Sequence, residues 1–188
     1  MGNRAIILLH EIYGKNCFID SIERDLKKSN FDVYPVDFYN GKVFDYEDIA
    51  EAHKYFYDHV DDITDNYIIN MAFSLKCLYE KVFIIGFSAG ATVAYKCSLS
   101  SHVDKVICFY GSRIRDYLTM HPVADTLVLL ADEDSYDVDM VAEKLNEKRN
   151  VSILRYPAGH GFVDPNSPCY DSVQAKKATS DAIYYLLH

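Results

Sequence analysis

Six short runs dense in Val, Ile, Leu and Phe punctuate the chain: Arg4–Leu9, Phe31–Val36, Lys81–Ile85, Lys105–Tyr110, Thr126–Ala131 and Val151–Tyr156. Most are close to continuous in apolar residues, the pattern of parallel strands covered on both faces. Between them the apolar positions recur at the spacing of a helix. Phe18, Ile19, Ile22 and Leu26 share one face, and Ile68, Met71, Leu75 and Leu78 another. Val138, Val141 and Leu145 follow Asp137, and Val173, Ala178, Ala182 and Tyr185 lead into Leu186 and Leu187. Residues 45–65, charged and rich in Tyr, predict one further exposed helix and its connection. Strand–helix alternation of this kind predicts an α/β fold with a mostly parallel sheet and right-handed crossovers.

Length and charge narrow the function classes. The 188 residues, 49% hydrophobic and 25% charged, carry no repeat, linker or low-complexity stretch, so residues 1–188 are expected to form a single domain. A formal charge of −9 repels phosphate backbones and anionic lipid, which argues against nucleic-acid and membrane-surface partners. The longest apolar run, Ala182 to Leu187, is far too short to span a bilayer. Ala5–Leu9 is likewise too short for a secretion signal. Five widely spaced cysteines with no Cys-x-x-Cys pair read as reduced thiols, so a cytoplasmic location is expected.

The sharpest chemical signal is Gly86-Phe87-Ser88-Ala89-Gly90, directly after a strand and opening a helix. A serine on so tight a strand-to-helix turn needs a strained backbone, and glycine two residues to either side removes the side chains that would collide. The turn exposes the Ser88 hydroxyl, and the helix N-terminus favours negative charge nearby. Such an alcohol needs a base, and the base an orienting acid. Among seven histidines, His160 lies in Pro157-Ala158-Gly159-His160-Gly161-Phe162, a loop after the last strand that projects over the sheet's C-terminal edge. His10, at the end of the first strand, is the alternative base, whereas His53, His59, His102 and His188 read as solvated. The acid should follow the preceding strand, where Asp132, Glu133 and Asp134 all qualify. The order serine, acid, histidine is that of α/β-hydrolases.

The first strand leads into His10-Glu11-Ile12-Tyr13-Gly14. A loop here supplies one oxyanion-hole amide and the residue after the nucleophile the other, which assigns the N–H groups of Ile12 and Ala89. Glu11 is out of character, because an ionised carboxylate beside an oxyanion site opposes catalysis unless it is held aside or used. Metal sites lack ligand pairs at the required spacing, and no Gly-rich phosphate loop follows the first strand, so neither metal nor cofactor is expected.

Taken together these segments resemble the dienelactone hydrolase family over nearly the whole chain. The likeness runs through residues 10–14, Asp37-Phe38-Tyr39, Gly86–Gly90, Phe109-Tyr110-Gly111, Ala131–Asp134, Tyr156–Phe162 and Asp164-Pro165-Asn166-Ser167-Pro168. The resemblance implies a compact three-layer α/β-hydrolase beginning at what is usually the third strand, without a large lid. It places the nucleophile on Ser88, the acid on Asp134 in preference to Asp132, the base on His160 and the family's loop glutamate on Glu11. Tyr13 and Tyr39 become candidate site-lining residues. The chain departs from the family in carrying serine where its best-known members use cysteine. Those members also hold a carboxylate-bearing lactone with two arginines; here Asp164 stands four residues past His160, and Lys42 is the cation that could substitute in part. Arg113 and Arg115, in the loop after Tyr110, are two further candidates for an anionic substrate group.

The expected sheet order is 2-1-3-4-5-6, which brings the turns bearing Ile12 and Ser88 together at the topological switch point. The expected activity is serine-dependent hydrolysis of a small ester, lactone or thioester. The alternative is a non-catalytic ligand-binding protein on the same fold.

Overall fold

The computed structural model describes residues 3–60 and 62–188, with the side chains of 62 and 63 outside that description. Residues 1 and 2, and residue 61 of the Tyr-rich segment, therefore lie outside the described residues. Six strands form one sheet: β1 (Arg4–Leu9), β2 (Asp32–Val36), β3 (Lys81–Phe87), β4 (Lys105–Phe109), β5 (Asp125–Glu133) and β6 (Val151–Gly159). All neighbours are parallel and the order is β2-β1-β3-β4-β5-β6, the order expected from the sequence. Both edge strands carry a proline, Pro35 in β2 and Pro157 in β6, where a missing N–H is tolerated.

Successive residues of the inner strands point to opposite faces, and both faces are covered. Ile7, Leu9, Ile84, Val106 and Val128 pack with Ala52, Ile68, Ala94 and Val141. These last come from α2 (Ile49–His59), α3 (Asp62–Lys76), α4 (Ala89–Cys97) and α5 (Val138–Asn146). On the other face Ile6, Leu8, Phe83, Ile85 and Ile107 pack with residues of α1 (Cys17–Lys28) and α6 (Ser172–Leu187). The result is the expected three-layer arrangement, and the apolar content of β1, β3 and β4 follows from burial on two sides. Helix starts are chemically marked: Asn16, Asp137 and Asp171 each cap one by accepting from backbone amides two or three residues on.

The helical stripes are corrected at their ends. Leu78 is exposed because α3 stops at Lys76, and Val173, in the first turn of α6, faces solvent. The segment expected to be one exposed helix contains α2, whose Ala52 and Phe56 are buried, and also the start of α3. Periodicity could not mark that division, since the apolar face of α2 is only two buried residues wide. None of the helices among the described residues is long and apolar enough to cross a membrane.

Candidate active site

Ser88 joins β3 to α4 in a conformation (φ 49°, ψ −112°) that non-glycine residues rarely occupy. The flanking glycines make the turn possible by close packing. A Cβ on Gly86 would lie 2.3 Å from the Gly90 carbonyl oxygen, and one on Gly90 would lie 2.3 Å from the His10 carbonyl oxygen. The second contact also presses the Ser88 turn against the loop after β1, backbone to backbone. Ser88 N–H donates to the Phe109 carbonyl at 2.9 Å, which ties the turn to the end of β4 as well.

The histidine and the acid arrive by strand register. Glu133 of β5 pairs with Gly159 of β6, after one extra residue in β6 shifts the register. Asp134 and His160 are therefore next in line on adjacent strands, and His160 N–H donates to the Glu133 carbonyl. His160 Nδ1 lies 2.8 Å from Asp134 Oδ2, and its Nε2 lies 2.8 Å from Ser88 Oγ. The Asp134 side chain is 2% exposed, and its other oxygen accepts from Ser135 N–H at 2.6 Å. Asp132 is turned away, paired at 2.7 Å with Arg155, which also binds Asp139. The structure thus brings together residues 88, 134 and 160, and leaves residue 132 on the surface.

His10 sits apart from these three. It is fully buried, packed edge-on against Phe38 and Tyr39. Its Nε2 accepts from Phe38 N–H at 3.1 Å, so Nδ1 carries the hydrogen and donates to the Glu11 carbonyl at 2.6 Å. Burial pushes its pKa down to about 4, against the smaller opposing pull of that carbonyl and of Asp37. The folded protein therefore refuses a proton that the unfolded chain takes up near 6.5, and stability rises with pH between the two values. The expected loss from this group between pH 7.5 and 4.5 is about 2–3 kcal/mol. Urea unfolding of the parent and of His10→Gln across that range should show the parent with the steeper decline. Parallel declines would refute the linkage.

The remaining candidates divide. Ile12 is buried, and its carbonyl accepts from the Tyr39 hydroxyl at 2.9 Å. Tyr39 is buried too, so it braces the loop from behind rather than facing a substrate. Ala89 borders a cavity of about 110 Å³ that is also lined by Phe56, Tyr57, Thr92 and Arg113. A larger cleft of about 640 Å³ between α1 and α6 touches none of residues 88, 134 and 160. Arg113 binds Asp116 at 2.7 Å and lies over the Tyr57 ring. Arg115 donates to the Ser112 carbonyl at 2.6 Å and lies over Tyr136. Lys42 lies 4.2 Å from the ring centres of both Phe44 and Tyr55. Each cation named by the sequence already has internal partners.

Two features had no sequence signal. His53 of α2 is exposed, as expected, yet desolvation and then the nearby His160 hold it below its ordinary pKa. The Tyr46 hydroxyl donates to Asp164, 118 residues away, beside Glu11 and Tyr13. Spacing along a chain carries no information about such a contact. Among the described residues no three His, Cys, Asp or Glu side chains are grouped as metal ligands.

Comparison with known proteins adds the family to this geometry. The family model of the dienelactone hydrolase family matches residues 2–188. The chain belongs to that family. As a family member it is a hydrolase of the α/β class acting on ester bonds. It is 35% identical over 166 residues to the uncharacterized protein YczH of Bacillus subtilis (strain 168), covering 86% of this chain and 82% of that protein. The fold of this dienelactone hydrolase family member matches a dienelactone hydrolase-like promiscuous phosphotriesterase from metagenomic libraries. That match has a TM-score of 0.77 at 18% identity and covers 98% and 85% of the two chains. It also matches an esterase of Pyrococcus furiosus with a TM-score of 0.63 at 17% identity, covering 98% and 83%.

Proposed function

We propose that this family member hydrolyses small uncharged esters, lactones or thioesters, with Ser88 as nucleophile, His160 as base and Asp134 as the acid that orients it. The observation that carries the reading is the unbroken line of two 2.8 Å contacts from Ser88 Oγ through the imidazole to Asp134. Asp134 accepts from Nδ1–H, which leaves Nε2 free to take the serine proton as Oγ attacks the acyl carbon. The same carboxylate stabilises the imidazolium that results. The Ala89 and Ile12 amides supply the oxyanion hole, a contribution of about 3–4 kcal/mol per donor in enzymes where it has been measured. Protonated His160 then gives its proton to the leaving alkoxide or thiolate, and water repeats the cycle on the acyl-enzyme.

The preference for an uncharged acyl group follows from the occupied cations. A substrate carboxylate would have to displace Asp116 from Arg113 or the Ser112 carbonyl from Arg115. Asp164, fully buried beside Glu11, adds charge of the wrong sign.

A fluorophosphonate probe should label the protein with one adduct, and peptide mass spectrometry should place it on Ser88. Labelling elsewhere, or none in protein that is folded, would refute the serine assignment and favour a binding role.

A further inference from the structure

We propose that Glu11 is a positioning residue held as the neutral acid, donating its proton to Asp164 and so tying the loop after β1 to the loop that carries His160. Counting donors and acceptors makes the assignment. Asp164 Oδ1 accepts from Asn166 N–H at 2.8 Å and from Asn166 Nδ2 at 3.1 Å. Its Oδ2 accepts from the Tyr46 hydroxyl, which itself accepts from Asn16 Nδ2 at 3.0 Å. Asn16 has its orientation set by capping α1, where Oδ1 accepts from Ile19 N–H. An ionised carboxylate accepts about four hydrogen bonds. Three are filled by these donors, and the Glu11 carboxyl lies within hydrogen-bonding reach to supply the fourth. Two carboxylates cannot bond to each other without a proton between them, so one of the pair is an acid. Asp164 has the donors a charge requires, whereas Glu11 Oε1 is buried with no hydrogen-bond partner among the described residues. An unpartnered oxygen is tolerable on a neutral carboxyl and costly on an anion.

The surroundings reinforce the choice. Tyr13 from the same loop, Tyr46 from the β2–α2 connection and Tyr110 from the end of β4 are the ionisable side chains that face the pair. All three are neutral at pH 7, and burial first, then the carboxyls, pushes each further from ionising. No Lys, Arg or His among the described residues forms an ion pair with either carboxyl. Burial, followed by the charge of Asp164, pushes the Glu11 pKa well above the usual carboxylate range.

This accounts for a carboxyl next to an oxyanion donor. As the neutral acid, Glu11 adds no charge beside Ile12, and its hydrogen bond spans from the residue before Ile12 to a residue four past His160. The Tyr110 ring, 5.1 Å from the His160 ring, closes the same corner. The catalytic consequence rests on the reading of Ser88, His160 and Ile12 given above; the protonation itself does not.

Infrared difference spectroscopy of the parent against Glu11→Gln at pH 7 tests the protonation. The expected result is a carbonyl stretch of a protonated carboxyl group in the parent, lost in the variant and bleached in the parent at alkaline pH. Kinetics test the positioning role with p-nitrophenyl acetate. Glu11→Ala should lower kcat about 10- to 100-fold by loosening the loop. Glu11→Gln, whose carboxamide N–H can replace the acid's hydrogen bond, should recover most of that loss and remove the fall in rate that accompanies Glu11 ionisation. Absence of the band in the folded parent would overturn the proposal, and so would Gln proving as damaging as Ala. If Glu11→Ala does not fold, the infrared difference decides alone. A band present in a protein that hydrolyses nothing would retain the acid and reject the hydrolytic reading.

Discussion

Ser88→Ala is expected to abolish turnover of p-nitrophenyl acetate at neutral pH, lowering kcat about 10⁴- to 10⁶-fold while leaving KM within a few fold. The reason is that Ser88 Oγ is the atom placed 2.8 Å from His160 Nε2, the base of the proposed mechanism, and alanine leaves that imidazole with no hydroxyl to deprotonate. The substitution should not unfold the protein. Ser88 is only half-buried, and losing its oxygen removes one hydrogen bond while the strained turn keeps its flanking glycines. Any residual rate over water would come from substrate held against the two amides. Stopped-flow or steady-state assays with matched circular dichroism spectra provide the check. A variant that retains the parent's rate would show that the hydroxyl is not the nucleophile, whatever the distance between it and the imidazole.

Asp134→Asn should cost about 10⁴-fold in kcat. An asparagine amide N–H facing His160 Nδ1 would force that nitrogen to accept, moving the ring hydrogen to Nε2, where it can no longer receive the serine proton. The imidazolium would also lose the buried charge that stabilises it. Asp132→Asn is the control. It removes one of two partners of an exposed arginine, and its effect on rate should stay within about twofold, the free-energy scale of ordinary surface substitutions. Measured side by side, the larger loss identifies the acid. Equal losses, or a larger loss at 132, would require a rearranged β5–α5 loop in the working enzyme.

Much of the fold was legible because its signals are local. Two-sided burial made β1, β3 and β4 read as unbroken apolar runs, and chirality left few orders for parallel strands joined by helices. The turn at Ser88 was legible for the same reason: backbone crowding within five residues demands glycine at 86 and 90. Edges and ends were not. β6, open to solvent on one side, extends three residues beyond its apolar run, through Pro157 to Gly159. α3 ends at Lys76, before Leu78, the last residue of its apolar stripe.

The site shows where that limit falls. Residue types and their chain order pointed to Ser88, His160 and a group of three carboxylates as candidates, because nucleophilic chemistry needs those groups and α/β-hydrolases order them in one way. Which carboxylate meets the imidazole was settled by a one-residue register shift between β5 and β6, a property of paired strands that neither strand encodes alone. Likewise, cations that looked available for a substrate are occupied, and Asp164, which looked only misplaced, gathers Glu11, Tyr46 and Asn166 around it. Hydrogen bonds and ionisation states depend on distances across the folded chain, and those distances exist only once the layers have packed.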